Sequence, residues 1–316
     1  MKLIIQIPCL NEEATLPATF ADLPKQIEGV DIIEYLIIDD GSTDNTVTVA
    51  KQLGIHHIVS FSKNRGLARA FEAGIQRCLK EGADIIVNTD GDNQYFGADI
   101  EKLIQPILRN EADVVVGDRQ TSNIAHFSAG KRLLQSLGTL VTNKLANTQI
   151  DDAVSGFRAF SREAACNLNI LTNFSYTTES LIQLGHKRFA IASVPIRTND
   201  KLRVSRLFKS IPHFLVNQVS TIIRVYSHYR ALKIFTLLGA LLTIPGVLGI
   251  ARFFYYYFTA SGSGKIQSLL ISVMLILIGV VIILVGILAD MISNNRKLIE
   301  KILANQLENE RKKNTD

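Results

Sequence analysis

The chain has 316 residues, 47% hydrophobic and 20% charged, with a formal net charge of +5. That apolar content excludes a disordered chain, and 34 basic plus 29 acidic side chains exclude one buried wholly in lipid. The positive mean hydropathy of +0.19 is therefore an average over unlike parts.

The N-terminal part reads as alternating strands and helices. Met1–Cys9 could pass for a signal peptide, but its apolar run is short, is broken by Gln6 and lacks a small-residue cleavage site. It is read as a first buried strand over Leu3–Ile7. A helix follows at Glu13–Leu23, then a strand at Tyr35–Ile38 and a helix at Thr46–Leu53, with Thr43 or Asp44 placed to cap it. Next come a strand at His57–Phe61, a helix at Leu67–Lys80 and a strand at Ile85–Asn88. A helix at Ala98–Leu108, a strand at Asp113–Gly117 and a helix at Lys131–Ala146 complete the run. This order predicts an α/β fold with an open, mostly parallel sheet flanked by helices and ligands at the carboxyl ends of its strands. No Rossmann glycine fingerprint follows the first strand, and Gly262-Ser-Gly-Lys265 has the wrong spacing for a phosphate-binding P-loop. Cys9, Cys78 and Cys166 are far apart, which argues for reduced thiols and against a disulfide framework or structural zinc.

Charge changes sharply along the chain. Residues 1–196 carry 18 basic and 23 acidic side chains, net −5, whereas residues 197–233 carry eight basic and one acidic, net +7. From Ile234 to Ala289 only Arg252 and Lys265 are charged. The pI near 9.0 thus points to membrane phosphates, not nucleic acid, since the excess lies beside the apolar region. Two stretches, about 232–258 and 266–289, are long enough for a hydrocarbon core of about 30 Å. The short linker between them makes a transmembrane hairpin. Arg224, Arg230 and Lys233 before the first span and Arg296, Lys297 and Lys301 after the second predict a cytoplasmic head and cytoplasmic termini. Residues 207–231 read as amphipathic juxtamembrane helix lying on the surface. In the tail, 291–316, Leu298/Ile302 and Ile299/Leu303 fit either another surface helix or a homo-oligomerisation seam.

The chemistry gathers where strands end. Asp39-Asp40-Gly-Ser-Thr-Asp44 follows one strand and Asp90-Gly-Asp92-Asn-Gln94 another. Alternate residues of extended chain share a face, so Asp90, Asp92 and Gln94 can offer two carboxylates and an amide oxygen to a hard divalent cation, with water and diphosphate oxygens completing its shell. A solvated acidic turn is the usual reading of an isolated D-x-D. Here the motif follows a strongly apolar strand and is matched by a second acidic strand end.

Taken together, Pro8-Cys-Leu-Asn11-Glu12, Ile38-Asp-Asp-Gly-Ser-Thr-Asp44, Asn64-Arg-Gly66, Asp90-Gly-Asp92-Asn-Gln94 and Ser155-Gly-Phe-Arg158 resemble the family 2 glycosyltransferases of GT-A fold. The nearer likeness is to the dolichol-phosphate mannose synthase and polyprenyl-phosphate sugar transferase branch. The resemblance covers about residues 3–206 and implies a catalytic domain over 1–206. It implies that Pro8, Leu10, Glu12, Asp39 and Asp40 surround the nucleoside of a nucleotide sugar, UDP- or GDP-linked. Asp90, Asp92 and Gln94 would hold Mg²⁺ or Mn²⁺ on its diphosphate. Arg119, Arg132 and Ser136 would meet phosphates, and Arg197, Arg203, Ser205 and Arg206 would face the phosphate of an undecaprenyl- or dolichyl-type acceptor; a plain basic belt is the competing account of the last group. Sugar transfer would proceed by direct displacement with inversion, with Asp92 on the leaving group and Asp152 as base or acceptor-positioning group. Asp151 competes for that role, and Glu179 is a further site candidate. Processive polysaccharide synthases carry a Gln-x-x-Arg-Trp motif, and this chain has no tryptophan. A membrane-tethered nucleotide-sugar-binding protein without catalysis is the other alternative.

Overall fold

The computed structural model describes residues 1–120, 129–170, 176–200, 211–259 and 266–315. They fall into two units, Met1–Ile223 with Lys301–Asp316, and Arg224–Glu300.

The first unit is built on one sheet of β1 (Lys2–Cys9), β2 (Ile32–Asp39), β3 (His57–Ser60), β4 (Ile85–Asn88), β5 (Val114–Asp118), β6 (Arg158–Ser161) and β7 (Ile191–Pro195), in the order β3-β2-β1-β4-β6-β5-β7. All pairings are parallel except those of β6, which runs antiparallel between β4 and β5. The helices are α1 (Leu16–Asp22), α2 (Thr46–Gln52), α3 (Leu67–Lys80), α4 (Ile100–Leu108), α5 (Ala129–Ala146), α6 (Arg162–Cys166) and α7 (Tyr176–His186). A 3-10 turn, Gly97–Asp99, leads into α4.

The period of two sorts β1 between two cores. Leu3, Ile5 and Ile7 pack with Leu16 of α1 and Leu103 and Ile104 of α4. Ile4 packs on the other face with Phe71 and Ile75 of α3 and Tyr176 and Leu184 of α7. Each such side chain, fully buried, contributes about 1.5–3 kcal/mol of transfer free energy. β1 has β2 on one side and β4 on the other. The chain order therefore reverses direction at β1, and a crevice opens at the carboxyl ends of these three strands.

The first five strands and five helices match the expected order, with ends shifted by a few residues. Neither β6 nor β7 was expected. β6 is four residues that open on a charged one, and β7 ends in proline; neither shows a sustained alternation.

Two segments are long and apolar enough to cross a bilayer, Leu232–Thr259 in the second unit and Ile266–Gln306, which begins there and runs past Glu300. Gly239 backs onto Gly279, and Gly246 and Gly249 onto Ser272, close enough that a Cβ at any of them would collide with its partner. Small residues thus let the two backbones approach, while Leu237, Leu241, Leu248, Leu270, Met274, Leu277 and Leu284 remain exposed. Residues 207–231 were expected as an amphipathic helix set apart from the first span, and 207–210 of them lie outside the described residues. Instead α8 (Ile211–Thr259) is continuous from that segment through the span, and α9 (Ile266–Thr315) likewise continues into the tail. The reason is local. Pro212 stands in the first turn of α8, where proline is tolerated, and no glycine or proline follows before Gly239. Nothing in the sequence stops the helix at the expected boundary.

Candidate active site

Three loops interlock at the ends of β1, β2 and β3. Asn11 takes a left-handed conformation (φ 56°). Its amide N–H donates to the Ser42 hydroxyl (2.9 Å), and its side-chain oxygen accepts from the Thr43 N–H (2.8 Å). The Glu12 N–H donates to the Thr46 hydroxyl, and the Thr15 hydroxyl donates to the buried Glu12 carboxylate (2.6 Å). Asp44 accepts the N–H of Thr46 (3.0 Å), but the N-cap of α2 is Asn45, one residue beyond the expected Thr43 or Asp44. Asp39 accepts the Ser42 N–H, while the two oxygens of Asp40 accept the N–H groups of Arg65 (2.7 Å) and Gly66 (2.9 Å). Gly41 has φ +77°, and a side chain there would meet the Lys63–Asn64 backbone. Both aspartates are buried, and burial pushes the Asp40 carboxyl above its ordinary value against those two hydrogen bonds. Asp40 thus ties the Asn64-Arg-Gly66 loop to the crevice.

β4 delivers the second acidic loop. Asn88, fully buried, receives Gln6 Nε2 and donates through its own Nδ2 to the Gly156 carbonyl and the Tyr176 hydroxyl, both at 2.9 Å. The hydroxyls of Thr15, the N-cap of α1, and Thr19, one turn on, both approach the Gly91 carbonyl (2.9 and 3.1 Å); Thr15 shares its one proton between that carbonyl and Glu12, and Thr19 donates. Asp90 and Asp92 therefore stand on a loop pinned from both sides. Burial, followed by the neighbouring Asp92 charge, pushes the Asp90 carboxyl up to about 6. Gln94 Nε2 donates to Asp90 Oδ2 at 2.5 Å and so steadies that carboxylate. Gly156 lies against the same carboxylate. A Cβ there would be 2.8 Å from the Tyr176 hydroxyl and 3.3 and 3.4 Å from the Asp90 oxygens.

Arg119, just past β5, makes a two-pronged ion pair with Asp152: Nε to Oδ2 at 2.6 Å and Nη2 to Oδ1 at 3.0 Å. Asp152 is fully buried and Arg119 largely so. Burial works against the Arg119 charge, but Tyr95, Asp152 and Asp90 outweigh it and raise its pKa. Both Asp152 oxygens face the guanidinium, a geometry that orients an arginine better than it accepts a proton. Asp151 is exposed. Arg158 lies beneath, wholly buried. It donates to the carbonyls of Ala153, Ser155 and Thr177 and to the Ser180 hydroxyl. Burial lowers its pKa to about 10, so it is charged at neutral pH. Arg158→Met leaves these acceptors unpaired and is expected to destabilise the fold by about 3–5 kcal/mol, read from chemical denaturation.

The other expected phosphate contacts are dispersed. Arg197 is bound to Asp99 (Nη2–Oδ1 2.7 Å), not aimed at the acidic loop. Ser136 is exposed on α5. Arg132 belongs to the same helix, but its side chain lies outside the description, as do residues Arg203, Ser205 and Arg206 altogether. Glu179 is fully buried in α7, where Gln183 Nε2 donates to it at 3.3 Å. The sequence reading missed Thr15, Thr19, Asn88, Tyr95 and Tyr176. The hydroxyls spaced four apart after Asn11-Glu12 were the one available signal.

Among the described residues no cluster of three or more His, Cys, Asp or Glu forms a ready-made metal cage. The donor set still fits Mg²⁺ or Mn²⁺. Two neighbouring carboxylates, one of them reluctant to ionise beside the other, are stabilised by a cation that keeps ligand positions for water and substrate phosphate.

The mixed seven-stranded sheet with its acidic loop at the strand ends is a GT-A-type α/β domain. The chain belongs to glycosyl transferase family 2, whose profile matches residues 4–168, just over half the sequence. It is 31% identical over 218 residues to a UDP-N-acetylglucosamine–dolichyl-phosphate N-acetylglucosaminyltransferase of Methanococcus voltae, covering 61% of this chain and 83% of the relative. It is 23% identical over 216 residues to a polyprenol monophosphomannose synthase of Mycolicibacterium smegmatis, covering 65% and 80%. Among solved structures, the glucosyl-3-phosphoglycerate synthase of Mycobacterium tuberculosis in complex with Mn²⁺, UDP-glucose and phosphoglyceric acid superposes with a TM-score of 0.55. The identity there is 21%, over 72% of this chain and 80% of that one, a likeness of fold.

Proposed function

We propose that this protein transfers a sugar from a UDP- or GDP-linked donor to the phosphate of a membrane polyprenyl phosphate, with inversion at the anomeric carbon. The observation that carries the reading is one chain holding both a family 2 domain with Asp90 and Asp92 on a pinned loop and two apolar helices of bilayer length. The names of the relatives above, which specify dolichyl phosphate and polyprenol, favour the same acceptor class. In this reading the head and both termini are cytoplasmic, on the side of the basic flanks.

Pro8, Leu10, Glu12, Asp39 and Asp40 line the crevice that receives the nucleoside. Asp90 and Asp92 hold Mg²⁺ or Mn²⁺, with Gln94 orienting Asp90. When bound, the ion neutralises charge developing on the leaving nucleoside diphosphate. Arg119, held in direction by Asp152, meets phosphate oxygens as a planar fork. Arg203, Ser205 and Arg206, together with Arg132 and Ser136, serve the acceptor phosphate. That phosphate is already anionic near neutral pH, so most of the acceleration comes from orientation and leaving-group neutralisation, not proton removal.

The test is the purified protein with polyprenyl phosphate, Mn²⁺ and a panel of labelled nucleotide sugars. One donor is expected to give label that extracts into organic solvent and is released by mild acid. Absence of lipid-extractable label with every donor, despite nucleotide binding, would favour a non-catalytic nucleotide-sugar-binding protein.

A further inference from the structure

The segment leaving β7 is fastened to the loop that carries Gln94. Tyr95 and Thr198 form an antiparallel bridge. The Asn199 N–H donates to the Gln94 carbonyl (3.0 Å), and the Phe96 N–H to the Arg197 carbonyl (3.3 Å). Side chains lock the crossing. Arg197 donates its backbone N–H (2.7 Å), Nε and Nη2 to the fully buried Asp99 carboxylate, with its guanidinium 3.9 Å above the Phe96 ring. Asn199 Nδ2 donates to Asp22 and to the Tyr95 carbonyl, both at 3.2 Å, and the Gly97 N–H donates to the same Asp22 carboxylate (2.7 Å). At its other end the loop is held to the site. Gln94 Nε2 grips Asp90, and the Tyr95 hydroxyl accepts the Gly156 N–H (3.0 Å) while its ring stacks on Phe157.

We propose that this Asp99–Arg197–Asn199–Asp22 clasp is a positioning device for the metal-binding loop, and that Arg197 acts through it, not as a contact to the acceptor phosphate. The inference rests on the function proposed above. Gln94 orients Asp90 only while its backbone stays in place, and Asn199 and Arg197 are what hold that backbone from outside. More than half of the Arg197 side chain is exposed, yet its Nε and Nη2 already face a carboxylate of matching fork geometry. A phosphate taking that Nε–Nη2 fork would have to displace Asp99, which would then be left buried beside Lys102 alone among the cations paired with it.

The experiment uses the full chain in detergent and measures Mn²⁺ binding in the presence of UDP or of GDP, from the free-ion EPR signal. Outer partners of metal ligands typically change affinity by 10–100-fold. Arg197→Ala and Asn199→Ala are each expected to weaken nucleotide-dependent Mn²⁺ binding about 10-fold, and Arg197→Lys, which keeps the charge without the fork, to lie between. Lys102→Ala, which touches Asp99 outside the crossing, is expected to bind Mn²⁺ as the wild type does. The KM for polyprenyl phosphate is expected to stay within about twofold in Asn199→Ala and Arg197→Lys, both of which spare the bulk of the crossing. Wild-type Mn²⁺ binding in Arg197→Ala and Asn199→Ala would overturn the clasp alone. So would a raised KM for the lipid in Arg197→Ala with Mn²⁺ binding unmoved, which would return Arg197 to the acceptor phosphate. A wild type that binds Mn²⁺ with neither nucleotide would overturn the functional reading and the clasp's role with it.

Discussion

Asp90→Asn is expected to lower sugar transfer by about 10²–10³-fold, the scale of losing one charge-stabilising group aimed at a leaving group, while making the metal-free protein more stable. The two effects share one cause. Asp90 is raised to about 6, first by burial and then by Asp92. A carboxylate raised in the fold weakens it as pH climbs from the ordinary value near 4 through 6, because the unfolded chain ionises more readily. The shift corresponds to about 1–3 kcal/mol of destabilisation, present at pH 7.5 and absent below about pH 4. Thermal melts in chelator at pH 7.5 should therefore place Asp90→Asn above the wild type, and the gap should close at pH 4. Added Mn²⁺ should raise the wild-type melting temperature and leave the variant unmoved. Equal transfer by the two proteins would remove Asp90 from the chemistry.

The second large effect concerns Asp152. Its two oxygens are occupied by Arg119, so Asp152→Asn is expected to reduce kcat by about 10–100-fold through a misdirected guanidinium. The acidic limb of the pH–rate profile should stay in place. A proton-accepting Asp152 would own that limb, and the substitution would erase it. Stability separates the readings further. Breaking one partner of a buried ion pair costs about 3–5 kcal/mol, so Asp152→Ala and Arg119→Met should each be strongly destabilised. The double replacement Arg119→Met with Asp152→Ala should lose at least about 1 kcal/mol less than the sum of the single changes. Strict additivity in that cycle would mean the pair is not coupled.

Much of this site was legible in the sequence because its motifs end strands. Ile85-Ile-Val87 is a continuous apolar run, so the acidic residues soon after it had to emerge at a strand end. What fixes their orientation was hidden. Thr15, Thr19, Asn88 and Tyr176 act through hydrogen bonds between residues up to 88 apart, and no local pattern marks such partners. The ion pairs of Asp152 and Arg197 were hidden for a related reason. A charged residue in a motif reads as free to bind substrate until the countercharge, Arg119 or Asp99, is seen beside it. β6 escaped because an antiparallel insertion of four residues carries no period of its own. The continuity of α8 escaped because composition changes at the membrane boundary while helix propensity does not.

The most direct measurement is mass spectrometry of the lipid phase after the purified protein has been incubated with polyprenyl phosphate, Mn²⁺ and its nucleotide sugar. A product heavier than the acceptor by one glycosyl residue, and still carrying one phosphate, is the result this account predicts. A lipid carrying two phosphates, or an unmodified acceptor beside a glycosylated water-soluble product, would contradict it.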